Sequence, residues 1–249
     1  MRNMTRRIRA LYYIFKSDFV RELADLKHYS FNYVVGIINQ SILCYLLIDA
    51  FSKKGETFAT LIGKFFIWYV GRDLITEMAS SINEEKHFGT LEYIYLNVHK
   101  LESYLLVKSL STALWSVLFF AVISGILFMY TSLDYHVALG NMQPRDIAVI
   151  VFALVACLGY GYFFAGLSLI FRKVSSFVSI FGYLILFAQF ISVDSKYSVL
   201  TFLVPGAWDK YQVPLNVTAG VSLLFLLAGW LSFSVSLKLS TKGGTFWRA

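Results

Sequence analysis

The chain has 249 residues, of which 57% are hydrophobic, 18% aromatic and only 15% charged, and its net charge is +7. A soluble domain usually carries about 25% charged residues, so this composition excludes an ordinary soluble globular domain. The basic residues lie beside the apolar runs and form no single patch, which favours contact with anionic lipid over binding of nucleic acid.

The residues before the first apolar run have a mixed pattern. Apolar residues recur at helical spacing between Ile8 and Leu26, and charged residues from Arg6 to Asp25 occupy most of the remaining positions. This pattern predicts an amphipathic helix over 5–27 that lies in the membrane interface. A helix packed on protein is the alternative. The early charges also argue against a cleavable signal peptide.

Long apolar runs dominate the rest of the chain. A helix needs about 20 apolar residues to cross a bilayer core, and several runs reach that length without a charged residue. They predict an all-α integral membrane protein with a single domain, in which 1–29 precede a six-span bundle at 30–237 and 238–249 form a cytoplasmic tail. The charge-free runs are 28–48, 109–133, 147–171, 174–193 and 211–237. The predicted spans are 30–50, 57–78, 106–130, 146–171, 174–192 and 215–237.

Six spans place both termini on one side of the membrane. Fifteen Lys and Arg residues fall on that side, five on the opposite side and two inside the second span. The positive-inside rule therefore predicts cytoplasmic termini in the cell membrane. The outer loop at 193–213 contains an apolar stretch too short to cross the bilayer, which predicts a loop that re-enters the protein or the interface.

The second span is the weakest by hydropathy because it carries Lys64, Arg72, Asp73 and Glu77. Charges at membrane depth are usually functional, so these residues are candidates for a polar path or for pairing with a facing helix. The alternative is that the span emerges early and continues as a cytosolic helix. Under either interpretation we expect Arg72 to find a carboxylate, since an unmatched buried charge is costly.

The chain shows no signature of an enzyme. It has no phosphate-binding loop, and its four histidines are scattered with no catalytic or metal-ligand spacing. Cys44 and Cys157 lie inside apolar runs and are expected to be packing residues. We therefore expect no catalytic residue, cofactor or metal on this chain.

The most specific segment lies between the second and third spans, at 82–98. Gly89 follows an acidic–basic helix end, and Thr90 can cap a short helix. The apolar face of that helix would comprise Leu91, Ile94, Tyr95 and Val98. A short cytosolic helix with one apolar side suits docking into a groove of a partner.

This segment resembles the cytoplasmic loop of ABC-2-type (type V) ABC transporter permeases, where a Glu-x-x-x-Gly-Thr-Leu-Glu pattern follows the second span. Val98 or His99 stands where proline is common in that family. The N-terminal helix, the six spans and the apolar outer loop also resemble the family. The matching positions are Glu85, Gly89, Thr90, Leu91, Glu92, Ile94 and Leu96.

The resemblance implies that a coupling helix at 83–97 docks on a separate ABC ATPase subunit, which binds ATP and Mg. It also implies pairing with a second permease chain, identical or different, and a push that tilts spans one, two and five. The expected ATPase-coupling residues are Glu84, Glu85, Lys86, Gly89, Thr90, Leu91, Glu92, Ile94 and Tyr95.

The leading functional hypothesis is an ATP-driven exporter of an amphipathic or hydrophobic substrate, such as a drug, an antimicrobial peptide or a lipid. Export of a lipid-linked polysaccharide is the alternative within the family. An ion-coupled secondary carrier that uses the charges of the second span is another, although the spans show no convincing repeat. The last alternative is a membrane scaffold or immunity protein that transports nothing.

Overall fold

A computed structural model of the chain describes residues 2–52, 58–97, 100–131, 143–171, 174–190 and 214–242. Within these ranges the chain is helical and contains no β-strand. The described helices are α1 (Arg2–His28), α2 (Ser30–Ser52), α3 (Phe58–His87), α4 (Leu91–Asn97), α5 (Leu101–Thr131), α6 (Pro144–Ile170), α7 (Ser175–Phe190) and α8 (Leu215–Lys242).

Four of these helices are long and apolar enough to cross a membrane: Ser30–Ala50 of α2, Leu101–Met129 of α5, and all of α6 and α8. The structure therefore confirms an all-helical chain with a membrane-embedded character. The charges of α3 set it apart from these four, and α7 has an apolar stretch of fewer than 18 described residues, at Ser175–Phe187. The number of spans beyond four stays a prediction.

Several helices extend further than predicted, and one of them is α5, which begins at Leu101, before its predicted start at 106. α1 spans 27 residues from Arg2, and α8 continues through Lys242 into the predicted tail. α3 passes the predicted end of its span at residue 78 and reaches His87 without a break. The helix therefore runs on through the polar residues that follow the predicted span, as the alternative interpretation of this span expects. The outer loop 193–213 and the end of the tail lie outside the described residues.

α6 and α8 form the most extensive helix pair. Their backbones meet at Gly159 and Gly229, where a Cβ atom on Gly229 would overlap the carbonyl of Gly159. Further along, a Cβ on Gly166 would lie 3.1 Å from the Cα of Phe233. Small residues at a helix crossing let two backbones approach closely, which is a main source of attraction between helices in a bilayer.

α3 is the central helix, since it packs against α2, α4, α5, α6 and α7. Its first half buries Leu61, Phe65 and Trp68 in a core far from α4. The Trp68 indole N–H donates to the carbonyl of Gly182 on α7 at 2.8 Å. After α1, α3 is the least apolar of the long helices, and other helices surround it on several sides.

A second core lies beside α4, and we call it the α4-side core. It joins Met78 and Ile82 of α3 to Leu91, Leu105 and Phe233. This core fixes the end of α3, the start of α5 and the last turns of α8 in one unit, so α4 rests on the bundle and does not project from it.

α1 packs against α5, where the Phe19 ring stacks on Trp115 with the ring centroids 4.8 Å apart. Glu22 and Asp25 of the charged face are half-buried, and Asp18 is only 7% exposed. One face of α1 thus packs on protein, while Tyr12, Tyr13, Val20 and Leu23 are exposed on the rest of its surface.

Candidate functional site

The turn between α3 and α4 depends on Gly89. This residue has φ = +68°, in the left-handed region where a side chain is strained. The Phe88 N–H donates to the Glu84 carbonyl at 2.9 Å, and the Thr90 N–H donates to the Glu85 carbonyl at 2.9 Å. The last turn of α3 is therefore closed by hydrogen bonds, and the chain reverses at a defined point.

Glu85 joins three parts of the segment. Its carboxylate accepts a hydrogen bond from the Thr90 hydroxyl through Oε2, and one from the Tyr104 hydroxyl of α5 through Oε1 at 2.7 Å. Thr90 does stand at the start of α4, where its carbonyl accepts from the Ile94 N–H at 3.0 Å. Its hydroxyl points back toward α3, so it fastens the turn to the end of α3.

Lys86 fixes the same turn to the end of α6. Its Nζ donates to the carbonyls of Ser168 and Leu169, both at 3.1 Å. The Ser240 hydroxyl of α8 donates to the same Leu169 carbonyl at 3.4 Å. Carbonyls in the last turn of a helix lack an intrahelical partner and attract a cation, so the position of Lys86 is electrostatically favourable.

The apolar face predicted for docking faces inward. Leu91 is 2% exposed, and Ile94 packs against the α4-side core. Tyr95 is 37% exposed, and Val98 lies outside the described residues. The chain's own core thus covers Leu91 and Ile94, and contact of this segment with a partner stays a prediction. The outward surface consists of Phe88, Glu92, Tyr93 and Leu96, and we call it the α4 outer surface.

Arg72 and Asp73 form one polar unit at the middle of α3. The Arg72 guanidinium lies 2.9 Å from Asp73 Oδ1 and 5.0 Å from the centre of the Trp68 ring. The Ser116 hydroxyl of α5 donates to Asp73 Oδ2 at 2.7 Å. The expected carboxylate is thus the next residue on the same helix, and Asp73 links α3 to α5.

Glu77 and Lys108 form a second unit, one turn closer to α4. Lys108 of α5 is 2% exposed, and its Nζ lies 3.3 Å from Glu77 Oε1 and 3.7 Å from Glu84 Oε2. The ammonium group is within ion-pair distance but lacks hydrogen-bond geometry toward either carboxylate. Ser81 donates to the same Glu77 oxygen at 2.8 Å. This unit is electrostatic and has an excess of negative charge.

α1 adds further charges to this unit. Arg21 Nη2 lies 3.2 Å from Asp18 Oδ1. Burial raises the pKa of the Asp18 carboxyl, although Arg21 and Lys108 act in the opposite direction. Burial also raises the pKa of Glu22, and the negative charge of Glu77 adds to that effect. The three helices α1, α3 and α5 therefore share one electrostatic cluster, which we call the Lys108 cluster.

Lys64 and the cysteines are buried among the helices. Lys64 is 6% exposed. Cys44 and Cys157 are free and buried, as the sequence predicts. Cys157 packs where Gly71 of α3 leaves room for its sulfur.

Sequence reasoning missed Asp18, Tyr104, Lys108 and Ser116, each of which completes a polar contact of the site. Lys108 was counted among the residues of the cytoplasmic loop, yet it lies inside α5. One signal was available, because Lys108 stands alone between apolar or small residues from Leu105 to Leu110. A lone lysine on such a helix needs a carboxylate from a neighbour.

Comparisons of this chain with protein-family models, with curated proteins and with solved structures give no match.

Proposed function

We propose that this chain is the membrane-spanning subunit of an ATP-driven exporter of the ABC-2 type. In this proposal α3 and α7 are the remaining two spans, both termini are cytoplasmic in the cell membrane, and α1 lies in the interface. A separate ABC ATPase subunit binds ATP and Mg, and a second permease chain completes the transporter. The resemblance of the segment 83–97 to permeases of that type is the starting point.

The observation that carries the proposal is the way the α3–α4 turn is fastened. Glu85 ties the turn to α5 through Tyr104, and Lys86 ties it to the end of α6. The end of α8 joins through Ser240, which donates to the same Leu169 carbonyl. A force applied to α4 therefore reaches four long helices through hydrogen bonds and the α4-side core. Such a unit can transmit a displacement, since packed elements move together instead of deforming gradually.

The α4 outer surface supplies the contact for the ATPase. Phe88, Tyr93 and Leu96 are 73%, 70% and 65% exposed. Exposed aromatic residues are enriched in protein interfaces, where tyrosine often contributes a large share of the binding energy. In this proposal the ATPase receives the outer surface, and the inner residues Leu91 and Ile94 carry the push to the bundle.

An amphipathic or hydrophobic substrate is supported by an aromatic cavity between α6, α7 and α8. It has a volume of about 360 Å³ and is bounded by Tyr160, Phe163, Phe164, Phe181, Phe225 and Ser232. Ion-coupled carriage has less support, because the charges of α3 at Arg72, Asp73 and Glu77 are paired within the chain.

The proposal is tested by isolating the tagged full chain from its native membrane in a mild detergent. We expect a nucleotide-binding subunit to copurify and to hydrolyse ATP. Replacing Tyr93 and Leu96 by alanine should lower its capture about tenfold, as the loss of an interface hot spot does. Tyr13→Ala is the matched control, because Tyr13 is 65% exposed on α1, far from α4 in sequence. A chain that copurifies with no ATPase overturns the proposal.

Gly89 gives a second, independent test. Gly89→Val places a β-branched residue at φ = +68°, which costs about 1–2 kcal/mol in a left-handed conformation. We expect the variant to insert in the membrane but to lose ATPase capture, because a changed turn at residue 89 alters the direction of α4. Gly125→Val is the control, because a Cβ at Gly125 meets no atom within 4 Å. Equal capture by both variants would contradict the role given to the turn.

A further inference from the structure

A second cavity lies beside α4, where five helices meet. Its volume is about 490 Å³, its walls come from α1, α4, α5, α6 and α8, and it shares no residue with the aromatic cavity described above. The Tyr162 hydroxyl of α6 donates to the Glu102 carbonyl of α5 at 3.0 Å, which joins two of these walls. The cavity is therefore formed by packed helices, and its size is in the range of sites for small molecules and cofactors.

The cavity begins at the level of the lipid headgroups. The span of α5, Leu101–Met129, has 29 residues and is about 44 Å long, which matches the thickness of a bilayer together with its headgroups. Lys100, Glu102 and Ser103 line the cavity at the start of this span, so they lie in the headgroup layer. Leu106 is six residues from Lys100, about 9 Å further along, and reaches the hydrocarbon.

The headgroup end of the cavity carries one charge of each sign. Lys100 is exposed, and Glu102 and Ser103 are half-buried. Residues two positions apart do not face each other on a helix, so Lys100 and Glu102 present their charges at separate places along the cavity edge. This end can therefore receive a ligand that has both an anionic and a cationic group.

The rest of the cavity is largely apolar. The Trp230 side chain of α8 is 43% exposed, and an indole of this kind is typical of the boundary between headgroups and hydrocarbon. Such walls suit an acyl chain, whose burial is favourable for each CH₂ group that leaves water. The apolar lining consists of Leu11, Leu101, Leu106, Val107, Trp230 and Leu237.

These walls restrict the chemistry of the ligand. An anionic lipid without a cationic group suits Lys100 but is repelled by Glu102, and a free phosphate leaves the apolar walls without a contact. A hydrocarbon without a headgroup leaves both charges without a partner. A phospholipid with a phosphoethanolamine headgroup has the anion, the cation and the apolar chain together.

We infer that this cavity binds one phospholipid with a phosphoethanolamine headgroup. The phosphate meets the Lys100 ammonium, and the ammonium of the lipid donates to the Glu102 carboxylate and the Ser103 hydroxyl. The acyl chain lies against Leu106 and Trp230. The site does not depend on the proposed function, since its walls and charges belong to this chain alone.

The test uses the full chain in detergent, mixed with phosphatidylethanolamine or phosphatidylglycerol that have the same acyl chains. The lipid retained per chain is counted by native mass spectrometry. We expect about two- to fivefold more phosphatidylethanolamine than phosphatidylglycerol, the range for one ion pair near the surface. Lys100→Met should lower the retention of both lipids. Lys27→Met is the control and should change neither, because Lys27 is exposed and lies about 24 Å along α1 from Leu11.

Glu102→Gln separates charge recognition from simple retention. It removes the partner of the ethanolamine and the repulsion of phosphatidylglycerol, so the two lipids should be retained equally. Phosphatidylethanolamine with brominated acyl chains should quench the tryptophan fluorescence of the unmodified chain more than that of Trp230→Phe, which locates the lipid in the cavity. Equal retention of the two lipids by the unmodified chain, or a preference that survives in Glu102→Gln, overturns the inference.

The lipid measurement and the ATPase capture give independent results. A chain that prefers phosphatidylethanolamine but captures no ATPase would uphold the lipid site and reject the exporter. A chain that captures an ATPase but shows no lipid preference would uphold the exporter and reject the lipid site.

Discussion

α2 and α3 belong to the same bundle but differ in how far the other helices cover their polar groups. α3 carries Arg72, Asp73 and Glu77, and neighbouring helices cover it from several sides. Ser116 of α5 donates to Asp73, and Lys108 of α5 lies beside Glu77. α2 is apolar, and hydropathy identifies it as a span. Much of its surface is nevertheless exposed, including the amide side chains of Asn32 and Asn39. Hydropathy thus reports which helix meets lipid, and it underestimates a helix whose polar groups are enclosed by protein.

The comparison also separates two uses of polar groups at membrane depth. Around α3, a polar atom is satisfied by a partner already present in the same chain, so its loss should damage the fold. On α2, Asn32 and Asn39 are exposed, so replacing either amide should leave the fold of the single chain intact. The variants at Lys108 and Arg72 test the first of these two expectations.

The largest effect is expected at Lys108. Lys108→Met removes the cation between Glu77 and Glu84 and should lower the free energy of unfolding by about 3 kcal/mol. That is the lower end for a broken buried pair, because the Glu77 side chain is 20% exposed. The measurement is the thermal unfolding midpoint of the detergent-solubilised chain, together with its yield of monodisperse protein.

Two variants control this result. Lys16→Met removes an exposed lysine of α1 and should leave the midpoint unchanged. Glu77→Gln added to Lys108→Met should restore most of the loss, since a glutamine still accepts from Ser81 and leaves no unpaired charge. If Lys108→Met is as stable as the unmodified chain, the Lys108 cluster does not hold α3 to α5.

Particular residues show what the sequence can predict. Charge-free runs located α2 and α6 to within a few residues, because lipid-facing helices have to be apolar along most of their length. α5 begins at Leu101, before its run at 109–133, and α8 ends at Lys242, beyond its run at 211–237. The turn at Gly89 was also predictable, since glycine and the following threonine are local signals. Those features depend on short stretches of chain.

The inner contacts of the site were not predictable in the same way. Lys86 meets carbonyls 82 and 83 residues later in the chain, and Asp73 meets Ser116 on another helix. Periodicity around Leu91 identified an apolar face but not whether that face meets this chain or another protein. The direction of a short amphipathic helix depends on tertiary packing, which no local pattern specifies.

A moderate effect is expected at Arg72. Arg72→Met removes the ion pair with Asp73 and the contact over the Trp68 ring, and should cost about 1–2 kcal/mol of unfolding free energy. Asp73 keeps the hydrogen bond from Ser116, which is why the loss should be smaller than at Lys108. Adding Asp73→Asn should recover part of the stability, because no charge is then left alone. A double variant less stable than Arg72→Met would argue that Asp73 has another partner.

The smallest effect concerns pH and extends the comparison to α1, outside the spans. Burial raises the pKa of Asp18 above 3.8 and that of Glu22 above 4.5. A carboxyl whose folded-state pKa is raised contributes stability that is complete below its unfolded pKa and is lost as the pH rises through the folded value. The docked state of α1 should therefore weaken as the pH rises from about 4 toward neutrality.

Asp18→Asn isolates this contribution, because an amide resembles the protonated carboxyl and does not titrate. The unfolding midpoint of the unmodified chain should match that of Asp18→Asn most closely near pH 4 and fall below it as the pH rises. Ser17→Ala, an exposed neutral neighbour, should stay parallel to the unmodified chain throughout. If Asp18→Asn becomes the less stable protein with rising pH, the attraction of Arg21 and Lys108 outweighs burial, and α1 is held by ion pairs as α3 is.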